Sequence, residues 1–178
     1  MFDVLSTMLR TKILTESPQV LPADVSVAAK NLQNDLWNIL GRAACIRHVD
    51  AGSCNGCELE IQAVNNPYYN LEGVGIKFVA SPRHADLLLV TGPVSVNMEE
   101  ALRRTYDAVP EPKLVIAVGD CGACGGVFGE SYASLGAVAN IIPVNHTVVG
   151  CPPNPMAILG GILESIRSAR EQSQLLTR

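Results

Sequence analysis

The sequence predicts a three-layer α/β fold with a mostly parallel sheet, in a single domain. Short β-rich runs alternate with helical segments from residue 44 onward, the rhythm of strand–helix–strand units. Residues 87–90 (Leu-Leu-Leu-Val) and 114–118 (Leu-Val-Ile-Ala-Val) are apolar at every position, as strands buried between two helix layers must be. The chain has 178 residues, 48% of them hydrophobic, which is enough to bury one sizeable core.

Strands are expected over 44–49, 75–80, 87–91, 113–118 and 147–149, and helices over 58–64, 98–108, 131–138 and 155–171. Upstream, Asp24 can cap a helix over 24–40 that ends at Gly41, with Val25, Ala28, Leu32, Leu36 and Ile39 on one side. Phe2, Leu5, Leu9 and Ile13 give 1–14 the spacing of a short amphipathic helix. The expected organisation is an N-terminal extension with a helix (1–42), an α/β domain (43–172) and a short tail (173–178).

Charge narrows the function. Charged residues are 17% of the chain, below the roughly 25% usual for soluble domains, so part of the surface is expected to be covered by partner subunits. The formal net charge is −4, with no basic excess to attract a phosphate backbone, and nucleic-acid binding is not expected. No apolar run approaches the length of a membrane-spanning helix. Asp3, Arg10 and Lys12 interrupt the start, so a secretory signal is not expected either. A reducing compartment is then the default, where six cysteines point to metal or redox chemistry rather than disulfides.

The placement of those cysteines is the main signal. Cys54 and Cys57 follow the first expected strand, Cys121 and Cys124 the fourth, and Cys151 the fifth. Five of the six are therefore expected in loops beyond the carboxyl ends of the strands, where ligands gather in open α/β sheets. Four thiolates at one point suit either Zn²⁺ or an iron–sulfur cluster. The surrounding glycines (Gly52, Gly56, Gly119, Gly122, Gly125, Gly126, Gly150) let backbone approach a bulky inorganic body and offer it N–H groups, which a lone zinc ion needs less. Two rivals fit less well. The two C-x-x-C pairs lie too far apart for a zinc ribbon, and a thioredoxin-like dithiol at Cys54/Cys57 leaves Cys121 and Cys151 unused. Cys45 falls inside a strand and is expected to be a buried free thiol. The turn at Gly119 lacks the G-x-G-x-x-G spacing and a Lys-Ser/Thr pair, so nucleotide binding is discounted.

Cys54-Asn55-Gly56-Cys57, Gly92-Pro93-Val94, Gly119-Asp120-Cys121 with Gly125-Gly126, and Gly150-Cys151-Pro152-Pro153 together resemble the NiFe-hydrogenase small subunit. The same family includes the twenty-kilodalton, B-type subunit of respiratory complex I. The resemblance runs from about Arg47 to Ile166. Residues 50–56, 81–86 (Ser-Pro-Arg-His-Ala-Asp) and 109–113 (Val-Pro-Glu-Pro-Lys) look most like the membrane-bound, energy-converting hydrogenases.

The resemblance implies a flavodoxin-like fold and one 4Fe–4S cluster, held by Cys54, Cys57, Cys121 and Cys151, with Cys124 as a buried neighbour outside the ligand pattern. It implies an electron-transfer subunit next to the active site of a hydrogenase-like large subunit. A ferredoxin-like iron–sulfur subunit would supply electrons, since no further cysteine follows Cys151. Membrane-embedded subunits would hold the assembly on the cytoplasmic side of the cell membrane, with this chain peripheral. The alternative is a complex I-like subunit passing electrons to quinone; those relatives carry adjacent cysteines where this chain has Cys54-x-x-Cys57. A structural zinc module is the third reading.

Other residues attract attention near these motifs. Glu60 stands three residues after Cys57, where the complex I relatives have a glutamate, and is the candidate proton relay. Glu58 is expected on a solvated helix face, complementing the dipole. Arg83 and His84 are expected in a polar turn or an interface contact, and His48 and His146 in structural roles.

Overall fold

A computed structural model describes Asn34 and residues 42–176. The helices expected over 1–14 and 24–40, and with them nearly all of the extension 1–42, lie outside the described residues, Asn34 apart. The strands are β1 (Ala44–Asp50), β2 (Ile76–Phe78), β3 (Leu87–Thr91), β4 (Leu114–Val118) and β5 (His146–Val148). The helices are α1 (Gly56–Val64), α2 (Glu99–Ala108), α3 (Gly119–Cys124) and α4 (Pro155–Leu176).

All five strands pair in parallel, in the order β2-β1-β3-β4-β5. That is the flavodoxin-like doubly wound order, whose direction reverses between β1 and β3. The register sets Asp50 beside Thr91 and Thr91 beside Val118, so the carboxyl ends of β1, β3 and β4 finish level. Every residue of β3 is buried, which fits its place at the centre of the sheet.

Alternate residues of the strands feed two cores. Ile46, Leu87, Leu89, Ile116 and Val118 face α1 and α4, which present Ile61 and Val64, and Ile158, Ile162 and Ile166. Val49, Leu88, Val90, Val115 and Ala117 face the opposite layer, built from Leu102 of α2 with Val138 and Ile142. The side chains of α4 recur four residues apart, so one stripe of the helix covers the sheet.

Two expectations need correction. No helix forms over 131–138; the segment is a run of bends tied by isolated bridges between Ser95 and Ser134 and between Glu130 and Leu135. Its serines divert the backbone. Ser131 Oγ accepts from Ala133 N, and Ser134 Oγ donates to the Gly129 carbonyl while accepting from Gly136 N. The second correction concerns the cysteines, which do not all lie in loops. Cys57 is in the first turn of α1, and Cys121 and Cys124 are in α3, a helix of 6 residues that the sequence read as a glycine-rich loop. Helix α4 runs on to Leu176, through the start of the expected tail.

Candidate metal centre

Each candidate thiol leaves the sheet by its own route. After β1 the chain turns at Gly52 and Ser53, whose N–H groups both donate to Asp50 Oδ1, at 2.9 and 2.8 Å. Burial tends to raise the Asp50 pKa, but these backbone bonds outweigh it and hold the carboxyl below its ordinary value. The turn delivers Cys54 to the surface. Asn55, in the left-handed conformation, then opens α1 and sends Cys57 inward. β4 runs straight into α3 and so places Cys121, and the turn after β5 places Cys151.

The four thiols share one electrostatic neighbourhood. The Cys57 thiol is pushed up to about 12, first by burial, then by the Glu58 carboxylate and by Cys121, Cys54 and Cys151. The Cys121 thiol is also raised, by burial and by Cys151, Cys54, Asp120 and Cys124. Groups that oppose one another's ionisation in this way stand together, and a cationic body among them would reverse the effect. Glycine makes room for the sulfurs. A Cβ on Gly119 (φ +84°) would meet Cys57 Sγ at 2.6 Å, and one on Gly126 (φ +54°) would meet Cys121 Sγ at 2.7 Å. Both distances are closer than a carbon and a sulfur can stand. Among the described residues, no group of three His, Cys, Asp or Glu side chains is close enough to hold a single metal ion. Thiolates around one tetrahedral zinc would stand about 3.8 Å apart, from Zn–S bonds of about 2.3 Å.

Cys54 and Cys151 are exposed, Cys121 half-buried and Cys57 buried, so the site opens at the surface. Cys124 is exposed, against the expectation of burial, and its Sγ donates back to the Asp120 carbonyl oxygen at 3.3 Å. Cys45 is buried in β1.

Of the two glutamates, Glu58 departs from expectation. Glu58 is buried, only 7% exposed, because positions 57, 58, 61 and 64 form the inward stripe of α1; it is not on a solvated face. Among the described residues neither carboxylate oxygen has a hydrogen-bond partner, and Oε1 lies 3.9 Å from His48 Nε2. His48 Nε2 in turn lies 3.1 Å from Thr91 Oγ1. Glu60 is half-buried on the same helix. Arg83 and His84 are exposed in a 3₁₀ turn, and His146 lies 3.9 Å from Glu164. A cavity of about 360 Å³ opens between β1, α1 and the end of β2, lined by Arg47, His48, Ile61, Gln62, Phe78 and their neighbours; no cysteine lines it.

Two contributors were missed by sequence reasoning. Asp50 stood within a quoted motif, and an aspartate two residues before a glycine turn is a recognisable Asx signal. Asp120 gave no such signal, since its partner Gly150 lies far along the chain.

Comparison with known proteins comes from three directions. Residues 54–165 match the family described as NADH ubiquinone oxidoreductase, 20 Kd subunit. The chain is 48% identical over 128 residues to the probable membrane-bound hydrogenase subunit mbhJ of Pyrococcus furiosus, covering 72% of this chain and 77% of that protein. It is 40% identical to formate hydrogenlyase subunit 7 of Escherichia coli, covering 88% of this chain but only 61% of that protein. It is 42% identical to a B-type subunit of the NADH-quinone oxidoreductase of Herpetosiphon aurantiacus, covering 72% of this chain and 66% of that one. Among solved structures, a chain of the membrane-bound sulfane sulfur reductase, an archaeal respiratory membrane complex, superposes with a TM-score of 0.63 at 30% identity, covering 77% of this chain and 76% of that one.

Proposed function

The chain belongs to the family of the NADH ubiquinone oxidoreductase 20 kDa subunit, and from that premise we propose that it is the electron-transfer subunit of a membrane-associated NiFe hydrogenase, holding one 4Fe–4S cluster on Cys54, Cys57, Cys121 and Cys151. The observation that carries the proposal is the gathering of these thiols, from β1, β4 and β5, at one edge of the sheet. The rival, a single zinc ion, needs less of the room that Gly119 and Gly126 leave around Cys57 and Cys121. When bound, the cluster supplies one-electron transfer between an upstream iron–sulfur chain and the active site of a partner.

The protein's own residues do the rest. The thiolates fix the position, the glycine turns bring N–H groups close, and the burial of Cys57 lowers the local dielectric. Exposed Cys54 and Cys151 open the site to a hydrogenase-like large subunit. A ferredoxin-like iron–sulfur subunit and membrane-embedded subunits complete the assembly, which sits on the cytoplasmic side of the cell membrane. Among the described residues no helix is long and apolar enough to cross a membrane. Glu60, half-buried one turn beyond Cys57, is the candidate carboxylate for taking up a proton at the large-subunit contact.

The 42% identity to an NADH-quinone oxidoreductase subunit favours a second reading, in which the electrons go to quinone. The spaced Cys54-x-x-Cys57 and the 48% identity to a hydrogenase subunit put the hydrogenase first. Two C-x-x-C motifs for nickel in the large subunit that co-purifies, with H2 evolution by the complex, would support it; their absence would move the assignment to the second reading.

The cluster assignment has its own test. Anaerobically purified complex should contain iron and acid-labile sulfide. Cys151→Ser should lower both and the activity, and Cys45→Ser should leave all three near wild type. Zinc in place of iron, or equal loss from both substitutions, would overturn the assignment.

A further inference from the structure

Asp120 ties together two of the turns that carry thiols. Its backbone N–H donates to the Gly150 carbonyl at 2.9 Å, and its carboxylate Oδ1 accepts from Gly150 N at 2.7 Å. The residue before Cys121 is thus latched, at both its backbone and its side chain, to the residue before Cys151. A third bond ends on the same residue, where the Asp120 carbonyl accepts from Cys124 Sγ.

Asp120 lies in the first turn of α3, where a carboxylate complements the helix dipole, and its side chain crosses to the turn after β5. The latch ties the start of α3, which carries Cys121, to the turn after β5, which carries Cys151. A neutral acceptor could make the same bond, so the charge is an addition. It lies beside the site, because Asp120 directly precedes Cys121 and its carboxylate reaches the residue that directly precedes Cys151.

We propose that Asp120 is a positioning residue with two separable effects: its hydrogen bonds lock the Cys121 and Cys151 turns together, and its negative charge makes adding an electron at the site harder. The inference rests on the cluster reading above. Outer partners of metal ligands typically change metal retention by about 10- to 100-fold when removed, because they orient the ligands. A fixed negative charge beside a redox centre disfavours the reduced, more negative state.

Asp120→Asn and Asp120→Ala, each in the purified complex, separate the effects. Asn keeps the acceptor and loses the charge, and Ala loses both. Three readouts are needed: iron and sulfide content, the rate of iron release to a chelator, and the midpoint potential from an EPR-monitored redox titration. Far-ultraviolet circular dichroism checks that each variant is folded. The expected result is that Asp120→Ala releases iron about tenfold faster or more. Asp120→Asn should hold iron like the wild type and titrate at a more positive potential. If Asp120→Ala fails to fold, Asp120→Asn still decides, through its iron release and its potential. A loaded wild type with an Asn variant that loses iron as fast as Ala, or with unchanged potential in Asn, overturns this proposal alone. A wild-type complex in which this chain carries no iron or sulfide overturns the proposed function, and this proposal with it.

Discussion

Burial holds the His48 imidazole below its ordinary pKa of 6.5; the charges of Glu58 and Asp50 pull the other way without prevailing, and Arg47 adds to the lowering. The folded chain therefore keeps His48 neutral at a pH where the unfolded chain has begun to bind a proton. Stability from this residue is full above 6.5, falls as the pH drops from there toward the lowered folded value, and loses nothing further below it. Asp50, held below 3.8, contributes in the same sense, with stability lost as the pH falls from 3.8 toward its own lowered value. His48→Gln keeps a group able to bond Thr91 Oγ1 and removes the titration. Urea unfolding midpoints measured through the weakly acidic range should decline with falling pH in the wild type and decline less in His48→Gln. Parallel curves would show that His48 carries no such linkage. The same side chain bounds what was legible at this scale. A structural role for His48 was expected, and its bond to Thr91 agrees, but the burial of Glu58 beside it could not be read from a short helix with carboxylates at 58 and 60.

At the scale of elements, α4 shows what periodicity reveals. Ile158, Ile162 and Ile166 repeat at helical spacing, and all three are buried against the sheet. Ile162 is 1% exposed, so Ile162→Ala should cost about 2–5 kcal/mol, the lost transfer energy plus that of the cavity left behind. Met156 stands 53% exposed on the same helix, and Met156→Ala should stay within about 0.5 kcal/mol of wild type. Chemical denaturation of both variants checks the contrast, and comparable losses would mean that α4 packs on a different stripe. The strands were legible for a related reason: 87–91 and 114–118 are apolar throughout because both faces are covered. Residues 131–138 were misread because Ser131 and Ser134 offer the backbone side-chain partners that outcompete a helix, which a pattern of apolar positions does not register. α3 was missed because 6 residues holding two glycines carry too little periodicity to distinguish a helix from a loop.

At the scale of the whole molecule, low charge and exposed apolar side chains agree. Val127, Phe128 and Tyr132 follow the Cys121 helix, Val149 and Met156 flank the Cys151 turn, and Leu59 follows Cys57. Large apolar groups left in water beside half-open thiols mark a surface built to be covered. The gathering of cysteines was legible because strand ends can be counted along the chain. The apolar rim was not, because exposure depends on how 125–137 folds back, and that depends on its serine bonds and glycine turns. Tyr132 is 99% exposed and Phe128 57%, so both can be changed at little cost to the fold. Phe128→Asp with Tyr132→Asp places two charges where an apolar partner would sit, and burying an unpaired charge costs several kcal/mol. The double variant should lose the large subunit in affinity purification through a tag on this chain. Arg104→Asp, on exposed α2 where Arg104 pairs with Glu100, should retain it. Retention by both variants would place the large-subunit contact on another face, and loss by Arg104→Asp alone would move it to α2.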